Sequence, residues 1–267
     1  MPQPIFLAGL HRSGTTLLTR CLGEHPLIGT LRGTGVSEDE GQHLQSVFPP
    51  ALEYGGVGRF AFAVEMHVTE SSPLATQENA RRLWESWKPY TDPDRPYFLE
   101  KSPPNLLKTR FLQALFPESR FIVVLRHPLA VAYATQKWSG TRIGELLRHW
   151  LRAHSVFTGD REHLRRVLVL SYEEFVAHPQ PCLDRIYDFI GIDPVPATTP
   201  VNRGVNQAYF ALWQRDRKRW LGRLSAAHAG WRYERKLQRF GYSLRHLGRY
   251  PPMSVVLLTA QAQAPFH

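Results

Sequence analysis

Continuous apolar runs alternate with helical spacing along this chain. Ile5–Ala8, Phe121–Leu125 and Val167–Leu170 are apolar throughout, and each is followed by apolar positions at three- and four-residue steps. Runs that are apolar on both faces, separated by helices, predict parallel strands joined by crossover helices. Tyr97–Leu99 is a weaker fourth run. After it, Ser102 is the expected N-cap and Pro103 the first helical residue, with Leu107, Phe111 and Leu115 at four-residue steps. Helical spacing also covers 77–88, 143–157, 179–190 and 206–240.

The stretch 30–96 breaks the alternation. It is rich in Gly, Pro, Ser and His, with short periodic runs only at Gln42–Phe48 and Glu78–Trp87. A long insertion after the first helix is expected to act as a lid or a substrate-facing segment. Residues 1–267 are expected to form one domain, with 30–96 on the acceptor side and a helical cap over about 200–250. No internal repeat or low-complexity segment interrupts it.

The 267 residues are 43% hydrophobic, enough for a large core. A formal charge of +10, mostly arginine, points to anionic partners, because the guanidinium fork matches phosphate geometry. Cys21 and Cys182 have neither metal spacing nor a disulfide framework, and Cys21 shares helical spacing with Leu17 and Leu18. The first strand begins within a few residues of Met1, leaving no room for a leader, so a native start implies a cytoplasmic protein. No apolar run reaches transmembrane length, SVVLLTA at 254–260 included.

The chemistry concentrates after the first strand. Gly9 and Gly14 have P-loop spacing and precede Thr15 and Thr16; a triphosphatase would carry Lys where Thr15 stands. The loop's cation is instead Arg12, beside His11 and Ser13. Glycines let backbone N–H groups close round an anion, and the helix N-terminus adds positive potential. An ordinary glycine turn would need none of the flanking hydroxyls. The expected architecture is therefore α/β: a P-loop-like parallel sheet flanked by helices, with the insertion and a helical C-terminal region.

Ligands of open parallel sheets sit at strand carboxyl ends. Three such ends carry polar groups: the Gly9–Thr16 loop, Glu100-Lys101-Ser102, and Arg126. The two strongest later strands end in Arg126 and Ser171, where a Mg²⁺-dependent P-loop enzyme would carry Asp. Phosphate binding without metal is the expectation.

These residues resemble the sulfotransferases that use 3′-phosphoadenosine 5′-phosphosulfate, PAPS. His11–Leu17 is similar to the family's 5′-phosphosulfate loop, and Arg126-His127-Pro128 to its 3′-phosphate element, R-x-P. EKSPPNL at Glu100–Leu106 resembles the bacterial and carbohydrate branches, and Ser171–Ile192 the Y-E-D-L segment with its F-L-G-L ending. The resemblance implies sulfuryl transfer to an acceptor hydroxyl, with PAPS as donor and adenosine 3′,5′-bisphosphate, PAP, as product. It implies that His11, Arg12, Ser13, Gly14, Thr15, Thr16 and Arg126 bind the carrier and that Arg12 meets the sulfuryl group. Lys101 would neutralise charge at the bridging oxygen, or simply pair with Glu100. A glutamate downstream of the loop would be the base. Glu40 in E-G-Q-H-L fits best, with Glu38, Asp39 and His43 as alternatives; acids decorating a helix N-terminus would explain Glu38 and Asp39 without catalysis.

Two departures stand out. The family's 3′-phosphate serine is Ala134 here, leaving Thr135 to substitute. The C-terminal G-x-x-G-x-W-K element is absent, leaving Arg203, Arg215, Arg217 and Arg219 as candidate cations, or as a solvated helix face. Trp138 is open to adenine stacking but more in keeping with core packing; Trp84 and Trp87 fit the core or the lid. Phe60, Phe62, Met66, Tyr209, Phe210 and Trp213 fit an apolar acceptor or the core. The acceptor class is open: the hydroxyl of a tyrosyl peptide, a sugar or glycan, a lipid, a polyketide or another small molecule. A P-loop kinase lacks its lysine and strand-end Asp here, and a nucleic-acid-binding protein is supported by charge alone.

Overall fold

The computed structural model describes residues 1–218 and 232–257. Its strands are β1 (Gln3–Gly9), β2 (Ile28–Thr30), β3 (Tyr97–Lys101), β4 (Arg120–Leu125), β5 (Arg166–Ser171) and β6 (Ser254–Leu257). They form one sheet in the order β2-β3-β1-β4-β5-β6. The first five are parallel, and β6 closes the edge antiparallel to β5. Register pairs Leu7 with Lys101, Gly9 with Val124 and Leu125 with Ser171, so these strand ends share one edge of the sheet.

Strand alternation sends Phe6, Val123 and Val167 to one face and Ile5, Leu7, Ile122 and Leu168 to the other, all fully buried. The first face is covered by α2 (Gln77–Trp87), α3 (Thr109–Leu115), α4 (Pro128–Ser139) and α5 (Ile143–Arg161), whose Leu83, Phe111, Leu129 and Trp150 join its core. The second carries α1 (Thr15–Leu22), α6 (Tyr172–Ala177) and α7 (Pro179–Ile190), through Leu18, Phe175 and Ile186. Two covered faces explain why the strands read as unbroken apolar runs. α8 (Val205–Lys218) then packs on α4. No helix among the described residues is long and apolar enough to cross a membrane.

Several local expectations change. β2 is a three-residue strand, too short to show a pattern, and β6 is the edge of the sheet. The expected helix after Ser102 is a 3₁₀ turn (Pro103–Leu107) followed by α3. Ser102 caps nothing, because its hydroxyl donates to Glu100 at 2.6 Å and accepts from the Gln42 N–H at 3.0 Å. Of the helical expectation at 206–240, residues 206–218 lie in α8 and 232–238 are helical; 219–231, Arg219 among them, lie outside the described residues.

The insertion is mostly 3₁₀ turns around α2, and its Val47, Phe48, Phe60 and Met66 are buried in the same core as β1 and β4. Phe60, Met66, Phe210 and Trp213 are therefore core residues, as are Trp84 and Trp87, whereas Phe62 is 37% exposed. Trp138 is 73% exposed, so core packing is not its role. α4 ends one residue later, at Ser139, and carries Trp138 beyond the packed surface.

Candidate active site at the strand ends

The loop between β1 and α1 folds back through a Ser13 N–H to Leu10 carbonyl bond of 3.0 Å. Arg12 takes a left-handed conformation (φ 68°), as does Gly14 (φ 96°). A β-carbon at Gly14 would lie 2.4 Å from the Tyr172 ring, so both backbone angle and space demand glycine. Gly14 is also the N-cap of α1 and offers no side chain to its first-turn N–H groups. Those N–H groups have no intrahelical acceptor, which makes them a ready anion site. The Ser13 hydroxyl, fully buried, has no hydrogen-bond partner among the described residues. Thr15 is buried in the first turn, and Thr16 donates to Glu38 at 2.9 Å. The exposed Arg12 guanidinium lies over the Trp138 ring, 5.2 Å from its centroid.

Arg126 follows β4 directly and is joined to this loop: its Nη1 donates to the Arg12 carbonyl at 2.7 Å. Its Nε donates to Asn206 at 2.9 Å, and its plane lies 4.2 Å from the Tyr172 ring centroid. The remaining nitrogen, Nη2, is buried and has no partner among the described residues. Arginine carries only donors, so Nη2 is a charged donor lacking an acceptor beside the loop. With the Ser13 hydroxyl, it fits a ligand carrying more than one anionic group. Asn206 in turn donates to Glu173 at 2.6 Å, and Glu173 also accepts from the His127 N–H (2.9 Å) and the Tyr242 hydroxyl (3.1 Å). Burial pushes the Glu173 carboxyl upward, opposed chiefly by the His127 N–H.

On the other side of β1, Lys101 turns away from Glu100. It donates to the Glu38 carbonyl at 2.8 Å and lies 3.4 Å from the Glu40 carboxylate, both side chains being buried. Glu100 instead accepts from the Gly41 N–H (3.0 Å), Ser102 and Asn105, fastening the insertion to β3. A β-carbon at Gly41 would meet Glu100 and the Trp87 indole nitrogen at 2.7 Å each, so only glycine lets the chain pass there. That passage sets Glu40 against Lys101. Glu40 also accepts from Gln42 at 2.6 Å and lies 3.8 Å from His43. Burial pushes its carboxyl above the usual range, with Lys101 the largest opposing influence.

The acids around Glu40 do not decorate a helix start; they lie in a 3₁₀ turn (Ser37–Asp39) with Glu38 and Asp39 left-handed. Asp39 is occupied by the Thr34 N–H (3.0 Å) and hydroxyl (2.6 Å), bonds that hold its carboxyl low. It is therefore poorly suited to accept a proton. A polar cavity of about 750 Å³ opens beside Lys101, lined also by Thr16, Arg20, Arg32, Glu38 and Asp39.

Arg12, Ser13, Gly14, Thr15, Thr16 and Arg126 thus come together, with Lys101 and Glu40 across β1. His11 and Thr135 face elsewhere. They line a small void with Leu146 and His149 under Gly58, where a β-carbon would meet Leu146 at 2.5 Å and Thr135 at 3.1 Å. Burial foremost, then Lys101, His43 and Arg12, pushes His11 down to about 4, so its ring is neutral. Asn206 and Glu173 are the neighbours that sequence reading left without a role, and Trp138, read as an adenine platform or a core residue, lies over Arg12. Glu173 stood in a recognised segment, but nothing in the spacing links it to Asn206.

A family model described as Sulfotransferase family matches residues 4–196. Protein-tyrosine sulfotransferase 2 of Gallus gallus is 26% identical over 197 residues, covering 70% of this chain and 51% of that protein. Protein-tyrosine sulfotransferase 1 of Danio rerio is 24% identical over 196 residues, covering 70% and 53%. The chain spans about half the length of these two relatives. Among solved structures, a sulfotransferase from Alicyclobacillus acidocaldarius aligns at 16% identity and a TM-score of 0.48, over 80% of this chain and 92% of that one.

Proposed function

The chain belongs to the sulfotransferase family, and on that premise we propose that it moves a sulfuryl group from PAPS to an acceptor hydroxyl, releasing PAP. The observation that carries this reading is the link between the two anion-reading elements. Arg126 is hydrogen-bonded to the loop at Arg12 while keeping a buried donor that has no partner among the described residues. A nucleoside carrying a 5′-phosphosulfate and a 3′-phosphate needs two such elements side by side. PAPS supplies an activated sulfuryl group on a phosphate leaving group.

The chain's own residues supply positioning and charge. Loop N–H groups, Ser13, Thr15 and Thr16 hold the 5′ end, and Arg12 faces the sulfuryl oxygens. Arg126 reads the 3′-phosphate. Glu40, raised by burial and steadied by Lys101, takes the acceptor proton. The acceptor oxygen forms the new S–O bond as the S–O bond to the 5′-phosphate breaks, and the electron pair leaves with PAP. General-base transfer of this kind contributes about 10²–10⁴-fold, and preorganised donors supply much of the rest. The cavity beside Lys101 is lined mainly by hydroxyl and charged groups, with Leu31 and Leu99 among them, which supports an acceptor that carries polar groups.

The test is a panel of glycans, lipids, phenols and small alcohols incubated with PAPS labelled in the sulfuryl group. Label should appear in a hydroxylated compound, with PAP accumulating at the same rate. Saturable binding of adenosine 5′-phosphate as tight as that of PAP would overturn the reading.

A further inference from the structure

Resting on that reading, we propose that Asn206 is a positioning residue, holding Arg126 for the 3′-phosphate while keeping Glu173 off its guanidinium. Asn206 stands between the two, accepting from Arg126 Nε at 2.9 Å through Oδ1 and donating to Glu173 through Nδ2 at 2.6 Å. The orientation of its amide follows from chemistry, since arginine can only donate and the oxygen must face it. Glu173 is fixed from three sides, by the His127 N–H, by the Tyr242 hydroxyl and by Asn206 itself. The carboxylate thus anchors the amide, and the amide aims the guanidinium.

A carboxylate in direct contact with Arg126 would form a charge-assisted pair and compete with phosphate for the same donors. A carboxamide transmits the orientation without neutralising the charge. The other two nitrogens fit this division of labour: Nη1 is committed to the Arg12 carbonyl at 2.7 Å, and Nη2 is left for the ligand. Asn206 lies in α8, beyond the residues 4–196 that match the family model. The C-terminal helix therefore serves the 3′-phosphate through Asn206, by aiming a cation that the sheet supplies. Candidate arginines point the same way: among those in α8, Arg215 lies 3.7 Å from Asp216, in a surface pair.

The test compares PAP with adenosine 5′-phosphate, which lacks the 3′-phosphate, by titration calorimetry. It uses the whole chain and the variants Asn206→Ala, Asn206→Asp, Glu173→Gln and Asn206→Ala with Glu173→Gln. Thermal unfolding of each shows that it is folded. Asn206→Ala lets Arg126 swing onto Glu173 and should lower PAP affinity about tenfold, the scale of one hydrogen bond to a charged group. Adenosine 5′-phosphate should bind almost unchanged. Asn206→Asp should lose more PAP affinity than Asn206→Ala. Adding Glu173→Gln to Asn206→Ala should restore part of the preference for PAP, a recovery that a purely structural role would not give. A PAP preference in Asn206→Ala equal to that of the parent chain overturns the inference alone. Equal affinity of the parent chain for both nucleotides overturns it together with the donor reading.

Discussion

Two cations at strand ends on either side of β1 handle a nearby carboxylate in opposite ways. Lys101 touches Glu40 directly, at 3.4 Å inside the core, whereas Arg126 reaches Glu173 only through Asn206. A group meant to accept a proton gains from a close positive partner, which limits how far burial raises its carboxyl. A group meant to hold an anion needs its charge uncommitted. A third cation, Lys108, has no carboxylate partner among the described residues: it lies 3.7 Å from the Met66 sulfur and 5.2 Å from the Phe48 ring centroid. Burial pushes it down to about 7. The three cases separate pairing, insulation and abandonment of a positive charge.

The sharpest break of this comparison is Glu40→Gln. Turnover should fall about 10²–10⁴-fold with PAP affinity unchanged, as steady-state kinetics and calorimetry would show. If His43→Ala has that effect and Glu40→Gln does not, the base lies on the histidine. Arg126→Ala should come next, weakening PAP by about 10–100-fold and erasing its advantage over adenosine 5′-phosphate.

The pH profile sharpens the paired side. If Glu40 is the base proposed above, it acts deprotonated, and turnover should fall as pH drops through a value raised above the ordinary 4.5. Lys101→Met removes the charge opposing that rise. The acid limb of its profile should therefore move to still higher pH, besides any loss of rate; a limb that stays or moves down breaks the pairing argument.

The smallest effect concerns Lys108. Its folded-state value is below the unfolded 10.5, so the unfolded chain binds more protons and stability should rise with pH between about 7 and 10.5. Lys108→Met should lose that slope and melt higher at pH 7, by about 2–4 °C for each kcal/mol regained. Thermal unfolding across that range measures both.

What could be read ahead of the structure follows the same physics. β1, β4 and β5 were legible because both faces are covered, which writes an unbroken apolar run into the sequence. The anion loop was legible because backbone geometry demands glycine at fixed spacing. Glu40 was reachable through its neighbours Gly41 and Gln42, and its meeting with Lys101 depends on where the insertion is threaded. Asn206 and Glu173 were out of reach: their bond joins α8 to the start of α6, and no local pattern encodes a pairing across that separation. β2, with three residues, and the Trp138 perch above Arg12 left no periodic trace either.

The ladder between β2 and β3 pairs Ile28 with Tyr97, Gly29 with Phe98 and Thr30 with Leu99, so the chain leaves for its long excursion at Thr30 and returns at Tyr97, at the two ends of one short ladder. Adjacent strands sit about 4.8 Å apart, so those rungs hold the excursion's two ends together whatever its length. Lengthening a closed loop costs only about 0.6 kcal/mol per doubling. The freedom to vary therefore belongs to the parts of the excursion outside the shared core, because Val47, Phe48, Phe60 and Met66 pack with β1 and β4 and Gly41 is fastened to Glu100.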